Sequence, residues 1–103
     1  MPVEPPATPV EIVWSPVALA RLREIRAYVA LDKPEAAERL VTRIVAMVEV
    51  LRRFPNSGRA GIEPGVRELV VGGTPYIILY RVIGSKVMIG TIWHAAQQKP
   101  TSG

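Results

Sequence analysis

Residues 65–94, GVRELVVGGTPYIILYRVIGSKVMIGTIWH, decide the fold. Three runs rich in β-branched and aromatic residues, roughly 66–71, 76–83 and 86–93, are separated by glycine-containing breaks. That is the pattern of three antiparallel strands joined by two hairpins. Gly84-Ser85 stands between the last two runs, and glycine at the first central position suits a two-residue type II′ turn. A register set by that turn places Val82 opposite Val87, Tyr80 opposite Ile89, Ile78 opposite Thr91 and Tyr76 opposite Trp93. Side chains alternate along a strand, so one face then carries Tyr76, Ile78, Tyr80, Val82, Val87, Ile89, Thr91 and Trp93. The other carries Ile77, Leu79, Arg81, Ile83, Lys86, Met88, Gly90, Ile92 and His94. The first face reads as core. The second is largely apolar yet holds Arg81, Lys86 and His94, and it is the face on which function is sought.

Upstream of this ribbon the chain prepares a cover for one of its faces. Residues 1–9, MPVEPPATP, hold four prolines and little to bury, and read as a disordered, polyproline-like tail. Val10 to Trp14 is rich in β-formers and predicts a first strand at a sheet edge. Ser15-Pro16 opens a helix, with serine as N-cap and proline at the first helical position. Ala18, Leu22, Ile25 and Val29 form its apolar stripe, and it runs to about Leu31. Asp32 and Glu35 have the spacing of a capping box for a second helix. Ala37, Leu40, Val41, Ile44, Val48 and Leu51 are its buried face, and Phe54-Pro55 ends it. Residues 55–65, PNSGRAGIEPG, read as loop, and 98–103 as a frayed end. The resulting expectation is one α+β domain over 10–97 of order β-α-α-β-β-β. Its helical hairpin packs on one face of a small antiparallel sheet. Nothing remains in the sequence to cover the other face.

Composition narrows the function classes. The chain has 103 residues, 13 Lys and Arg against 9 Asp and Glu, one histidine and no cysteine. The absence of cysteine removes a disulfide framework, a thiolate zinc site and a cysteine nucleophile, and suits a reducing, cytoplasmic setting. No apolar run approaches the roughly 20 residues of a membrane span, and no signal-peptide pattern opens the chain. Neither a cofactor, a metal nor a small-molecule substrate is expected. A net charge of +4 permits an acidic or nucleic-acid partner.

Several pieces, in order, resemble the RelE/ParE superfamily of type II toxins, on its ParE-like side. They are the strand ending in Trp14, Leu22 and Ile25 in the first helix, and Pro34-Glu35-Ala36-Ala37 opening the second. Phe54-Pro55 with Gly58-Arg59, Arg67-Glu68-Leu69, Tyr76 through Tyr80-Arg81-Val82, and His94 complete the set. ParE-like members poison DNA gyrase by protein contact and need no catalytic set. The resemblance therefore implies a growth-arresting toxin, of the kind associated with plasmid stabilisation, that binds gyrase and is neutralised by a ParD-like antitoxin. RelE-like members are ribosome-dependent mRNA endoribonucleases, whose chemistry needs a base, an acid and cations for the phosphate. In RelE these roles fall on basic residues of the first hairpin and on a later arginine and tyrosine. Here Glu68, Val70 and Ile77 match the hairpin positions, Gln97 stands near the later arginine, and no tyrosine follows. Some related nucleases use a histidine at about His94.

Three readings follow: a gyrase-binding toxin, an mRNA endoribonuclease using His94 with Arg81 or Arg67, and a non-toxic interaction domain or dimer. For the first, Ile77, Leu79, Arg81, Lys86, Met88 and Ile92 are the expected partner surface, with Arg59 reaching it from its loop. Arg81 is equally read as a surface group paired with Glu68, and Arg67 as one half of an ion pair with a helix-end carboxylate. Tyr76 and Tyr80 are read as core, and the helix arginines as solvated.

Overall fold

The computed structural model describes residues 8–97. The proline-rich segment expected to be disordered falls, but for its last two residues, outside that range, as does the expected frayed end. The elements are β1 (Glu11–Trp14), α1 (Pro16–Ala30), α2 (Pro34–Val50), β2 (Arg59–Ala60), β3 (Val66–Val70), β4 (Tyr76–Ile83) and β5 (Lys86–His94).

The five strands form one sheet of order β1-β5-β4-β3-β2. The three strands of the organising stretch are antiparallel as expected, and β1 lies at an edge. Two features modify the expectation. The sheet is mixed, because β1 pairs with β5 in parallel, Ile12 beside Val87 and Trp14 beside Ile89. A parallel neighbour needs a long connection, and here both helices and then β2, β3 and β4 lie between β1 and β5 in the chain. Second, Arg59 and Ala60, read as loop, pair with Glu68 and Arg67 to form the short far edge.

The helices form for the reasons visible in the sequence. The Ser15 hydroxyl accepts from the Ala18 amide at 3.0 Å, so α1 carries its serine cap. The capping box expected at Asp32 and Glu35 does not form: Lys33 is the N-cap of α2 and makes no side-chain capping bond. Proline at the first helical position still starts the helix there. Ala18 and Ile25 of α1 with Ala37, Ile44 and Val48 of α2 are buried, and Leu51 just beyond α2 joins them. All of these but Ala37 belong to one core cluster with Leu69, Tyr76, Ile78, Tyr80, Val87, Ile89 and Ile92 of the sheet. Tyr76 and Tyr80 are core tyrosines, as read.

The register of the last hairpin is the main correction. Gly84 has φ +58° and, among the described residues, no residue other than glycine has positive φ, consistent with a type II′ turn. Val82 pairs with Val87 and Tyr80 with Ile89, but Leu79 then pairs with Thr91, Ile78 with Ile92, Ile77 with Trp93 and Tyr76 with His94. Gly90 is the extra residue of a β-bulge. Because the side-chain period is two, one inserted residue transfers everything beyond it to the opposite face. Ile92 and His94 move to the helix side, while Thr91 and Trp93 move to the open side.

Candidate functional site

The helices cover one face of the sheet, and the other face carries a concavity of about 580 Å³. Its floor is Leu79, Met88, Gly90 and Thr91, side by side across β4 and β5. Two aliphatic side chains wall it: Val17 in the first turn of α1, 59% exposed, and Ile62 in the loop after β2, 71% exposed. Isolated exposed aliphatics are ordinary, whereas two lining one apolar depression make it a candidate contact surface. The bulge shapes it, since the Ser15 hydroxyl that caps α1 also donates to Gly90 O at 2.8 Å. That bond ties the helix start to the irregular point of β5.

Charged side chains around the groove pair with one another. Arg59 meets Glu68 at 3.2 Å, Arg81 meets Glu63 at 3.7 Å and Lys86 meets Glu11 at 3.9 Å. Arg81, expected to pair with Glu68, meets Glu63, while Glu68 meets Arg59. Glu68 is only 3% exposed, and Arg59, anchored beside it on the edge strand, supplies a countercharge.

Of the residues expected on the partner surface, Leu79, Met88, Arg81 and Lys86 lie on the open face, with Arg59 at its edge. Ile92 does not: it is 0% exposed within the core, because the bulge turns it toward the helices. Ile77 keeps to the open side but is 6% exposed, so little of it is offered to a partner. Val17, Ile62 and Glu63 were missed by sequence reading. Val17 lies outside the apolar stripe predicted for α1, and 61–65 falls within the segment predicted as loop.

The residues of the nuclease reading do not meet. Arg67 lies on the helix side and donates to Gly58 O at 2.8 Å and Asn56 O at 3.3 Å. It therefore braces the loop before β2 instead of pairing with a helix-end carboxylate. Arg81 pairs with Met88 in the ladder, and His94 is six positions further along β5, roughly 20 Å away at strand rise. His94 instead shares a second concavity, of about 470 Å³, with Arg21, Glu24, Tyr28 and Tyr76. Its ring stands edge-on to Tyr76 at 5.4 Å, and its Nδ1 accepts from the Ala96 amide at 3.0 Å. Arg21, Glu24 and Tyr28 come from α1 and were not legible in the linear chain, whereas Tyr76 is the β4 residue opposite His94 in the ladder.

Tyr80 ties the groove floor to the loop behind it. Its hydroxyl accepts from the Gly58 amide at 2.9 Å and donates to Pro55 O at 2.7 Å. A Cβ on residue 58 would stand 2.7 Å from the Tyr80 ring and hydroxyl, so glycine is required for that approach. Burial raises the Tyr80 pKa above its ordinary 10.0, against smaller opposing effects of the Gly58 hydrogen bond, Arg67 and Ser57. Among the described residues no helix is long and apolar enough to cross a membrane, and no group of His, Asp or Glu could hold a metal ion.

Two helices crossing over a five-stranded mixed sheet with one open face are the architecture of the RelE/ParE toxins. The chain belongs to the ParE toxin family of type II toxin–antitoxin systems, parDE, whose family model matches residues 12–99. It is 49% identical over 89 residues to Y4kP of Sinorhizobium fredii, covering 86% of this chain and 92% of that one. Identity to the toxin RelE2 of Caulobacter vibrioides is 39% over 87 residues, covering 84% and 97%. A chromosomal ParDE toxin–antitoxin system from P. aeruginosa contains a chain superposing with a TM-score of 0.76 at 34% identity, covering 82% of this chain and 95% of that one. The toxin–antitoxin complex RelBE2 of Mycobacterium tuberculosis shares the fold, with a TM-score of 0.65 at 20% identity, covering 91% and 100%. The protein is thus a toxin of the ParE/RelE family of type II toxin–antitoxin systems.

Proposed function

We propose that this toxin arrests growth by binding DNA gyrase, as a protein ligand and without chemistry of its own, and that its antitoxin masks the open sheet face. The observation that carries this reading is the groove itself. It offers apolar side chains from two walls and a floor, and its charged neighbours are engaged in ion pairs with one another. Such a surface suits protein contact better than proton transfer. Both partners place its action in the cytoplasm. Purified toxin should inhibit gyrase supercoiling at stoichiometric concentrations, and added antitoxin should restore it. Intact supercoiling, with transcripts cut on ribosomes, would overturn the reading in favour of an endoribonuclease.

One observation favours that second reading. His94, which had no titrating neighbour in the sequence, shares its concavity with Glu24 and Arg21. A carboxylate, an imidazole and a guanidinium are the group types that RNA cleavage uses. Against it, Arg21 and Glu24 are 2.7 Å apart in an ion pair, and the Arg21 Nε also donates to Ile92 O at 3.1 Å. Both are structural duties.

A further inference from the structure

The loop between β2 and β3 is built differently from the rest of the groove. Gly61 and Gly65 flank Ile62-Glu63-Pro64, and Gly65 has φ +80°, a conformation that side chains other than glycine's rarely take. Arg81 reaches from β4 to hold this loop. Its Nη1 donates to Pro64 O at 3.1 Å, and its Nη2 lies 3.7 Å from Glu63 Oε2. A Cβ on residue 65 would be 2.9 Å from the Arg81 guanidinium, so the glycine also clears the path of the arginine. The Arg81–Glu63 separation is wider than the 2.7, 3.0 and 3.2 Å of Arg21–Glu24, Arg52–Glu49 and Arg59–Glu68. With Arg81 45% and Glu63 26% exposed, and the pair beyond hydrogen-bond distance, this contact is looser than those three.

We propose that Glu63 is an internal placeholder for a carboxylate of the antitoxin. In the free toxin Glu63 and Pro64 O occupy Arg81. On docking, an acidic side chain of an otherwise apolar antitoxin segment takes the guanidinium, where a bidentate, desolvated contact is stronger than the one it replaces. Release of Glu63 frees the glycine-flanked loop to lay Ile62 on the apolar part of the segment. The chain as a whole carries +4, and the groove lining holds Arg81 beside Glu63 and Glu68. Because Glu68 is paired with Arg59, release of Glu63 leaves the Arg81 guanidinium open to an acidic side chain. The inference rests on the proposal that the antitoxin docks on the open face.

A double-mutant cycle on Glu63 and Arg81, read as Kd for purified antitoxin, tests it. Glu63→Gln removes the competitor and should tighten binding roughly two- to fivefold, the factor corresponding to an exposed ion pair. Arg81→Gln should weaken binding by about tenfold or more, and Glu63→Gln should then have no further effect in that background. Ile62→Ser, a change at an exposed position that leaves the melting curve alone, should also weaken binding. Amides 62–66 should exchange more slowly in the complex. Weaker binding by Glu63→Gln, or the same effect with and without Arg81, overturns the placeholder. Leu79→Gln separates the two levels. If it binds antitoxin with wild-type affinity, the open-face reading fails and the placeholder with it. If it loses affinity while the cycle is additive, only the placeholder fails.

Discussion

Tyr80 and Pro55, 25 residues apart, are joined by a 2.7 Å hydrogen bond from the phenol to the carbonyl. The same oxygen accepts from the Gly58 amide, so a single buried hydroxyl fixes both ends of the loop that leads into β2. Tyr80→Phe keeps the ring and leaves a buried amide and carbonyl without that partner. It should lower unfolding free energy by about 1–3 kcal/mol, measured by urea denaturation with an unchanged m-value.

Alkaline titration should show the same group. The Tyr80 pKa is raised by burial above 10.0, so the unfolded chain loses this proton first. The stability it contributes is complete below the unfolded value and falls as pH rises from there through the folded value. Melting temperature should therefore decline above about pH 10, less steeply in Tyr80→Phe. Phenolate absorbance should show a late-ionising phase that is absent from Tyr80→Phe.

Ser15 serves two elements, capping α1 and donating to Gly90 O. Ser15→Ala should cost about 1–2 kcal/mol, at or above the usual value of a lost cap. Amide exchange should speed up both at Ala18 and around the bulge. Acceleration confined to the helix would show that the Gly90 contact carries nothing.

Leu79 is the centre of the groove floor, and its ladder partner on β3 is Glu68. A glutamate at 79 would face that carboxylate and confound folding with binding, so the neutral Leu79→Gln is the informative change. It should weaken antitoxin binding at least about tenfold through lost apolar burial, with little effect on the melt. Isothermal titration checks the first and calorimetric melting the second.

His94→Ala should leave growth arrest intact, because a gyrase-binding protein transfers no proton at that site. Expression in a tester strain, with circular dichroism to confirm folding, gives the answer. Loss of toxicity in a folded variant would move the site to the concavity shared with Arg21 and Glu24.

Much of the architecture was legible along the chain, because its signals are local. The Ser15-Pro16 start, the apolar stripes of both helices, the Gly84-Ser85 turn and the three main strands all depend on neighbours within a few residues. The capping box at Asp32 was misread for a related reason: Pro34 already fixes where α2 begins, so Lys33 becomes the cap whatever its side chain offers. The candidate site was less legible. Leu79, Met88 and Arg81 were placed on the open face correctly, since they lie between the turn and the bulge. Ile92 and His94 lie beyond the bulge and were assigned to the wrong side.

Sequence by itself determined the order of the main elements, the start of α1 and an open sheet face, because periodicity and caps act over one or two turns of chain. Only the tertiary structure decided the bulge at Gly90, the parallel docking of β1 beside β5, and the pairing of Arg81 with Glu63 in place of Glu68. Each of these brings together segments distant in sequence. A glycine in a strand permits a bulge without requiring one, and an edge strand of four residues reads the same in either direction. What selects among those options is the packing of α1 against β5, where Ser15 bonds to Gly90 O and Ile92 fills the core beneath Ile25 and Ile44.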